Sequence, residues 1–375
     1  MSSHVVLSAG DPAPWFKQRS FANPEYSFDV AAGRYIVLCY FASAADPHAQ
    51  AAIQAVRSQP DIFTDEFASF FGISIDPGDE SEQRVADSYP GYRFFWDFDG
   101  EIGRLYGTLP REGEFEQVEV RRTWFVLDPT MRLMRVIPFS EDRADIADLT
   151  DFMSRLPKPS HFAGFEINAP ILILPQVFEP EFCRALIDLY NENGGQESGF
   201  MREEGGRTVG VTDYSHKRRK DYVLSDEGLV KQTQQRILRR VVPEILKVHQ
   251  FRVTRMERYL VGCYSAEDGG HFNAHRDNTT SGTAHRRFAV SINLNEDFEG
   301  GEVGFPEYGS KRYKAPAGGA VVFSCSLLHS VSRVTEGSRY AFLPFLYDDA
   351  AAKIREENNR FLAEGVRKYQ KEKTG

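Results

Sequence analysis

The chain has 375 residues, with 45 Lys and Arg against 54 Asp and Glu, so its formal net charge is −9. This acidic balance is unlike the basic excess of proteins that bind nucleic-acid phosphates, and it predicts no nucleic-acid partner. Hydrophobic residues make up 41% of the chain, which supplies enough apolar surface for buried cores and excludes disorder over the whole chain. At about 150 residues per domain, the length predicts two domains, or three.

The cysteines and the N-terminus bear on the cellular compartment. The four cysteines are widely spaced and form no Cys-x-x-Cys pair, so neither a zinc ribbon nor a dithiol motif is predicted. Scattered cysteines of this kind are typical of reducing compartments. Residues 1–11 contain no basic region followed by an apolar run, and no stretch of 18 apolar residues exists. We therefore expect a cytoplasmic protein with no membrane partner.

Strand-like and helix-like runs alternate over the first part of the chain. Residues 34–41 form a nearly continuous apolar run, typical of a buried parallel strand. Asp46 and Pro47 then open a predicted helix that reaches Arg57, with Asp as the N-cap. Further elements are expected in the order strand 70–75, helices 81–88 and 100–106, hairpin strands 122–128 and 133–138, and helix 142–156. The alternation predicts an α/β domain over residues 8–156.

The second part of the chain has a different pattern. Residues 157–169 are predicted to be a linker, because prolines and a glycine interrupt them. Helices are expected over 180–193 and 229–242, and Pro243 should end or kink the second. Short strands with glycine turns follow, and they predict a jelly-roll or barrel over residues 170–348, then a charged C-terminal helix over 349–375. The expected strands are 255–264, 271–277, 287–295, 301–305, 318–323, 328–334 and 339–347.

A long connection, residues 194–226, is expected between the two predicted helices of the second part. It contains the basic run His216–Lys220. Three interpretations are open for that run: a solvated loop, a substrate-side lid, or a nucleic-acid patch.

The strongest chemical signal is a set of four polar residues. His275 and Asp277 lie two apart in a predicted strand, so their side chains point to the same face. His329 follows on a later apolar strand, and two histidines with one carboxylate are the facial triad of non-haem Fe(II) oxygenases. Arg339 comes ten residues further on, where the adjacent strand can return it to the same cavity. Its planar guanidinium can bind a carboxylate through two hydrogen bonds.

Together with the glycine pattern around them, these residues resemble the Fe(II)/2-oxoglutarate-dependent dioxygenases of the prolyl 4-hydroxylase-like branch. The resemblance covers residues 170–348 and implies a double-stranded β-helix, Fe²⁺, and the cosubstrates 2-oxoglutarate and O₂, with ascorbate as a further candidate cofactor. The matching stretches are Tyr264 followed by Gly269-Gly270 and His275-Arg276-Asp277; Ser291-Ile292-Asn293-Leu294-Asn295; Gly300-Gly301-Glu302; and Pro316, Gly319, Phe323, His329, Val331, Val334, Gly337, Arg339 and Tyr340.

The resemblance also implies roles for single residues. His275, Asp277 and His329 resemble the iron ligands, and Arg339 resembles the residue that pairs with the distal carboxylate of 2-oxoglutarate. Tyr264 resembles a tyrosine near that cosubstrate. Asn293 stands where many relatives carry a larger cosubstrate-contacting residue, and its amide can still donate a hydrogen bond. His271, Arg218 and Arg219 are substrate-side candidates, and His271 is expected to line the site rather than to ligate.

The N-terminal domain carries a second resemblance, to the peroxiredoxin/thioredoxin fold. Thiol chemistry in that family needs a cysteine at the start of the helix after the first buried strand, because a helix N-terminus lowers a thiol's pKa. Residues 42–48 contain no cysteine, and Cys39 lies within the strand. Arg122 matches the active-site arginine but has no thiolate beside it. We therefore expect a redox-inactive domain that docks a partner or dimerises. The resemblance lies in residues 35–41, 96–107 and 122–128.

The predicted protein is thus multidomain: an α/β thioredoxin-fold domain, then a mainly β jelly-roll with supporting helices. The predicted activity is hydroxylation of an unactivated C–H bond in a prolyl or other amino-acid residue of a protein, or in a small molecule, with release of succinate and CO₂. Two alternatives stand beside it. One is a jelly-roll module that binds a ligand or metal without turnover, and the other is a thiol peroxidase with an accessory barrel.

Overall fold

The computed structural model describes residues 4–112, 120–366, 368 and 369. The chain divides into two compact units, Met1–Asn168 with Pro306–Ser310, and Ala169–Phe305 with Lys311–Gly375. Among the described helices, none is long and apolar enough to cross a bilayer.

The described residues of the first unit contain seven strands and four α-helices. Their bounds are β1 Lys17–Gln18, β2 Tyr26–Ser27, β3 Tyr35–Ala42, α1 Pro47–Arg57, β4 Ala68–Ser74, α2 Pro77–Ser81, β5 Tyr92–Trp96, α3 Glu101–Tyr106, β6 Thr123–Leu127, β7 Leu133–Pro138 and α4 Ala144–Ser154, with 3₁₀ turns at Phe28–Ala31 and Pro159–His161.

A five-stranded sheet of order β5-β4-β3-β6-β7 forms the centre of this unit. Strands β3, β4 and β5 are parallel, and β6 and β7 run antiparallel. The first seven residues of β3 are buried, as the continuous apolar run predicts. Ala49 of α1 and Leu149 of α4 share one apolar core with β3. This arrangement confirms the predicted thioredoxin-type α/β class.

The helix predicted over residues 81–88 is wrong. The structure has a shorter helix, α2, that ends at Ser81. The Asp76 carboxylate caps α2 by accepting a hydrogen bond from the Gly78 amide at 2.8 Å. Gln83 then adopts a φ of 53°, in the left-handed region that interrupts a helix.

The second unit contains the remaining strands and helices. Their bounds are β8 Leu172–Leu174, α5 Pro180–Asn193, β9 Gln196–Glu197, β10 Phe200–Glu204, β11 Arg207–Val211, β12 Lys217–Arg218, β13 Lys220–Val223, α6 Glu227–Arg240, α7 Val242–His249, β14 Arg255–Glu257, β15 Leu260–Ser265, β16 His271–His275, β17 Phe288–Asn293, β18 Phe298–Glu299, β19 Val303–Gly304, β20 Arg312–Tyr313, β21 Ala320–Ser324, β22 His329–Val331, β23 Glu336–Phe342, β24 Phe345–Tyr347 and α8 Asp349–Glu357, with 3₁₀ turns at Pro306–Tyr308 and Asn358–Phe361.

Two many-stranded sheets build most of the described part of this unit, beside a two-stranded sheet of β10 and β11. The larger has the order β14-β24-β17-β23-β15-β13-β9, with β21 paired to β17, β8 paired to β21, and β18 paired to β23. The smaller has the order β12-β16-β22-β19-β20. Helices α5, α6 and α7 place Leu186, Ile237 and Ile245 in one apolar core with Val261 and Phe342 of the larger sheet. This confirms the predicted jelly-roll with supporting helices.

The connection between α5 and α6 is not the loop that the sequence predicts. It contains five strands, β9 to β13. Strands β10 and β11 form a hairpin whose turn, Gly205-Gly206, has φ values of 56° and 73° at its two glycines. Such a turn favours glycine because positive φ is costly for other residues. The strands are short and mostly polar, so they lack the apolar alternation by which strands are recognised.

The C-terminal helix is shorter than predicted, because α8 ends at Glu357. A 3₁₀ turn follows, and Leu362 then forms a bridge with Thr208 of β11. The amide of Ala363 donates to the Thr208 carbonyl oxygen at 3.0 Å. Residues 367 and 370–375 of the predicted helix lie outside the described residues.

Candidate metal and cosubstrate site

Three side chains meet where the smaller sheet brings two strands together. His275 ends β16 and His329 begins β22, and the two are direct partners across these antiparallel strands. Asp277 follows just beyond β16, where its amide donates to the Cys325 carbonyl oxygen at 3.0 Å. Its carboxylate oxygens lie 3.6 Å from His275 Nε2 and 3.3 Å from His329 Nε2. Within the described residues these three form a group able to hold a metal ion, with ligand atoms within 4.8 Å of one another.

Both imidazoles are held in one tautomer. His275 Nδ1 lies 2.7 Å from the Asn273 carbonyl oxygen, and His329 Nδ1 lies 3.0 Å from that of Leu327. A carbonyl oxygen only accepts, so each Nδ1 carries the hydrogen and each Nε2 keeps its lone pair. Metal-binding histidines are oriented by such bonds from the second ring nitrogen. The two imidazoles therefore fit a metal ion between their Nε2 atoms.

The charges at this cluster also suit a cation. Burial, and then the charge of His329, lower the pKa of His275 to about 4. Burial would raise the pKa of Asp277, but the neighbouring imidazoles hold it well below its usual range. A neutral imidazole and an ionised carboxylate are the forms that ligate metals. The donor set of two nitrogens and one carboxylate fits Fe(II).

Arg339 lies in the same cavity as the three candidate ligands. Its side chain is buried, with 1% exposed. Nε donates to Asn293 Oδ1 at 2.9 Å and Nη2 donates to Ser291 Oγ at 2.6 Å, whereas Nη1 has no hydrogen-bond partner. A buried cationic nitrogen without a partner is rare and costly. The orphaned Nη1 therefore fits an anionic ligand such as the distal carboxylate of 2-oxoglutarate.

Tyr264 and Arg339 are direct partners on β15 and β23. Tyr264 lines the cavity, and Arg339 Cζ lies 5.3 Å from the centre of its ring. A Cβ at Gly270 would lie 2.7 Å from the Tyr264 backbone, so only glycine allows β16 to start this close to β15. The contact of Tyr264 with the cosubstrate stays a prediction. The position of the Tyr264 ring beside Arg339 is compatible with that contact.

Asn293 lies behind Arg339 and is not among the residues that line the cavity. Its Oδ1 accepts from Arg339, and its Nδ2 donates to the Ala315 carbonyl oxygen at 2.7 Å. The side-chain amide is therefore engaged by protein groups on both sides. The structure gives Asn293 a role in positioning Arg339, and direct contact with the cosubstrate stays a prediction.

The three substrate-side candidates separate in space. Arg219 lines the cavity, but Arg218 and His271 do not. The Arg218 guanidinium lies 4.2 Å from the centre of the Tyr214 ring. The ring nitrogens of His271 face the carbonyl oxygens of Gly269 and Ser215 at 2.8 and 3.2 Å. Arg218 and His271 therefore contact other protein groups and do not line the cavity of the candidate metal site.

Two polar residues that line this cavity, Ser291 and Arg258, were given no site role from the sequence. Ser291 lies two residues before Asn293 on β17, so the period of a strand would have placed both on the Arg339 side. Arg258 occupies the break between β14 and β15, and no local pattern marks its side chain as facing the cavity.

In the first unit, the start of α1 is where the peroxiredoxin family would place its reactive cysteine, and residues 42–48 contain none. Cys39 is buried in β3, and burial raises the pKa of its thiol well above the usual value. At the start of α1, the Asp46 carboxylate accepts from the amides of His48 and Ala49 at 2.8 and 3.3 Å. Arg122 Nη1 donates to Asp46 at 2.9 Å. The arginine is thus paired with a carboxylate where the family would offer it a thiolate.

Two family models match the chain, one in each unit. Residues 258–347 match the 2OG-Fe(II) oxygenase superfamily, and residues 9–136 match the AhpC/TSA family. The first match includes the three candidate ligands, Tyr264 and Arg339. The two resemblances read from the sequence are thus confirmed, each over the part of the chain that its family model matches.

Curated relatives that match part of the chain include PKHD-type hydroxylases. The chain is 37% identical to one from Pseudomonas fluorescens (strain Pf0-1) over 112 residues, which are 28% of this chain and 47% of the relative. It is 34% identical to the PKHD-type hydroxylase PiuC of Pseudomonas aeruginosa (strain PAO1) over 112 residues, with the same coverage of each chain. The chain thus spans about half the length of these relatives.

Solved structures similar to each unit were also found. A prolyl hydroxylase from Trichoplax adhaerens, in complex with a hypoxia-inducible-factor peptide, has a TM-score of 0.38 and 17% identity over 49% of this chain and 85% of its own. The peroxidoxin BcpB of Mycobacterium tuberculosis has a TM-score of 0.34 and 24% identity over 40% of this chain and 97% of its own.

Proposed function

We propose that the protein is an Fe(II)- and 2-oxoglutarate-dependent dioxygenase that hydroxylates an unactivated C–H bond and releases succinate and CO₂. The substrate is a prolyl or other amino-acid residue, or a small molecule. One observation carries the proposal: a cavity contains both a pre-oriented His275, Asp277 and His329 cluster and the orphaned Nη1 of buried Arg339.

The chain's own residues divide the work of binding. His275, Asp277 and His329 would hold Fe(II) through two Nε2 atoms and one carboxylate. When bound, the iron supplies the oxidising chemistry by activating dioxygen together with 2-oxoglutarate. Arg339 orients the cosubstrate through its distal carboxylate, and Asn293 and Ser291 hold the guanidinium for that task. With three protein ligands, such a metal ion would still be able to bind the cosubstrate and oxygen.

Part of the cavity wall is apolar. Phe272, Val303 and Phe323 line the cavity beside the candidate ligands and are buried. Exclusion of water strengthens the ion pairs inside a site and protects reactive species. These walls favour a turnover site over a module that only binds a metal.

The decisive experiment follows 2-oxoglutarate in an anaerobically prepared protein loaded with Fe(II) and then exposed to oxygen. We expect succinate and CO₂ to form, and we expect metabolite or peptide libraries to contain a compound that gains one oxygen atom. Adding ascorbate tests whether the enzyme needs a reductant. Metal binding without any succinate would support the binding-module alternative and contradict the proposal.

The first domain is proposed to act by docking a partner or by dimerising in the cytoplasm, without thiol chemistry. The support is the arrangement at α1, where Arg122 pairs with Asp46 and no cysteine is present. Peroxide consumption with a thiol donor would contradict this part of the proposal.

A further inference from the structure

The cavity contains more positive charge than the proposed cosubstrate uses. Arg219, Arg258 and Arg339 all line it. The distal carboxylate of 2-oxoglutarate would pair with Arg339. The other two guanidiniums, those of Arg219 and Arg258, differ in how fully protein carboxylates pair with them.

Arg219 is already satisfied by protein groups. Nε and Nη2 donate to the two carboxylate oxygens of Asp221 at 2.6 and 2.8 Å, and Nη1 donates to the Tyr264 hydroxyl at 3.1 Å. Burial would lower its pKa, but Asp221 and Tyr264 raise the pKa of Arg219 above its usual range. This arginine, predicted as a substrate-side residue, has no guanidinium nitrogen without a partner.

Arg258 is poorly paired by comparison. Within the described residues its guanidinium makes one hydrogen bond, of 3.3 Å from Nη2 to Asp221 Oδ2, and 29% of the side chain is exposed. That oxygen also accepts from Arg219 and, at 2.5 Å, from the Ser198 hydroxyl. One carboxylate therefore serves two guanidiniums, and Arg219 has the shorter bonds. Burial, and then the charge of Arg219, lower the pKa of Arg258 to about 10, as expected of a cation short of a counter-ion.

The backbone at Arg258 is also unusual. Its φ is 65°, in the left-handed region that long side chains rarely adopt. The residue occupies the break between β14 and β15, and that break turns its side chain into the cavity. Strained residues of this kind cluster at ligand sites.

The charges favour one kind of anion. Three guanidiniums line the cavity, those of Arg219, Arg258 and Arg339. Two carboxylates offset them: Asp277, which lines the cavity too, and Asp221, which pairs with Arg219 and Arg258. Glu257, next to Arg258 in the chain, is already shared between Arg286 and Arg355, so the five groups leave one positive charge. Fe²⁺ and doubly charged 2-oxoglutarate cancel each other, so the surplus remains in the loaded site. A monocarboxylate neutralises it, whereas a phosphate monoester brings nearly two negative charges at neutral pH. Leu343, Pro344 and Phe345 form an apolar wall of the same cavity for the rest of such a molecule.

We propose that the oxidised substrate carries one free carboxylate and that Arg258 binds it. This inference rests on the proposed function, and it narrows the substrate from any amino-acid residue or small molecule to a monocarboxylic acid. Arg258 is then a specificity residue that does not contact the cosubstrate.

The test uses matched probes that differ in one negative charge: L-proline with L-prolinamide, hexanoate with hexanamide, and benzoate with benzamide. Binding to the protein loaded with Fe(II) and 2-oxoglutarate without oxygen is followed by ligand-detected NMR, and acceleration of succinate formation is measured with oxygen. We expect at least one acid, and not its amide, to bind and to accelerate turnover. Arg258→Gln should raise its half-saturating concentration at least tenfold and leave the KM for 2-oxoglutarate unchanged.

Two further variants keep the result interpretable. Arg258→Lys retains the positive charge but lacks the planar guanidinium that can donate two parallel hydrogen bonds. This variant should bind the acid with intermediate affinity. Arg255→Gln removes a positive charge three residues away, where Nε pairs with Asp349 at 2.7 Å outside the cavity, and should behave as wild type. Acid binding without succinate would contradict the proposed function and retain the anion site. The inference is overturned if no acid binds, if amides bind equally well, or if Arg258→Gln raises the KM for 2-oxoglutarate instead.

Discussion

His275 and His329 face each other across β16 and β22, and each donates its Nδ1 hydrogen to a carbonyl oxygen two residues earlier in the chain. Their ring centres lie 4.2 Å apart. Each ring is thus oriented by its own segment of main chain and needs no distant partner. Removing one imidazole should therefore leave the other ring in its position and the fold unchanged.

We therefore predict that His329→Ala abolishes 2-oxoglutarate turnover without unfolding the protein. The variant loses one of three ligands, so the protein should retain little Fe(II) after anaerobic loading and desalting. Metal content and succinate formation are measured on the same preparation, and circular dichroism checks the fold. His161→Ala, at an exposed position in the first unit, is the matched control. Wild-type turnover in the His329 variant would show that the ligand set is wrong.

Arg339→Ala should weaken cosubstrate binding. A hydrogen bond between charged partners contributes about 1.5–3 kcal/mol, and about 1.4 kcal/mol is a factor of ten. We expect the KM for 2-oxoglutarate to rise at least about tenfold, with an intermediate rise in Arg339→Lys, which keeps the charge and loses the fork. Iron content should not change. Loss of iron with an unchanged KM would instead make Arg339 a structural residue.

Asn293→Ala tests the positioning of Arg339. The variant leaves Arg339 Nε buried without its acceptor, and an unsatisfied buried donor costs about 1–3 kcal/mol. We expect the KM for 2-oxoglutarate to rise several-fold, by less than in Arg339→Ala, while kcat stays within about twofold of wild type. Asn193→Ala, at an exposed position that ends α5, should change neither constant. An unchanged KM in the Asn293 variant would contradict the positioning role.

The cysteines should be unreactive in the folded protein. All four are buried and free, and burial raises the pKa of each thiol. A thiol-reactive chromophore should therefore label none of them quickly, and it should label all four after unfolding in guanidinium. Peroxide consumption should be absent, and Cys39→Ala should change no activity. Rapid labelling of one native thiol, or peroxide reduction lost in Cys39→Ala, would disprove the redox-inactive assignment.

Acid should weaken the first unit through Asp65. Arg93 donates to both carboxylate oxygens at 2.8 and 2.7 Å. Burial would raise the pKa of Asp65, but the hydrogen bonds from Arg93 and Ser69 lower it to about 2 from an ordinary 3.8. Because the pKa is lower in the folded state, the ionised carboxylate stabilises the fold above about pH 4, and this stabilisation is lost as pH falls from about 4 to 2.

Asp65→Asn should accordingly lower the free energy of unfolding by about 2 kcal/mol at pH 7 and remove the dependence between pH 4 and 2. Asn tolerates the φ of 64° at this position, so the backbone adds no strain. All three tryptophans, residues 15, 96 and 124, lie in the first unit, so their fluorescence follows its unfolding in urea. Asp151→Asn breaks an exposed ion pair with Arg155 and should have no measurable effect. If both variants lowered the free energy of unfolding equally, Asp65 would not be the source of the acid sensitivity.

The parts of the structure that depend on neighbouring residues could be predicted from the sequence. Strand β3 follows from a run of apolar residues, and α1 begins where Asp46 and Pro47 predict its start. The candidate ligands were found because strand periodicity and spacing bring His275, Asp277 and His329 to one face. In each case the signal lies within a few residues of the chain.

Features that depend on pairing between distant segments were missed. Strands β9 to β13 are polar, and β12 and β13 are defined by their pairing with β16 and β15. The position of Asn293 behind Arg339 depends on the pairing of β17 with β23. The position of Arg258 depends on the break between β14 and β15. Neither spacing nor residue type records these contacts, which arise only when both sheets have formed.

The carboxylate of Asp46 at the start of α1 makes the absence of thiol chemistry hard to reverse. The backbone amides of this helix end would stabilise a thiolate, but they already bind a negative charge, and so does Arg122. A cysteine introduced into this turn would meet a fixed anion, which raises a thiol's pKa. Recovery of a reactive thiol therefore needs at least two substitutions, one to add the sulfur and one to remove Asp46. Neither change alone gives a reactive thiol at this helix end.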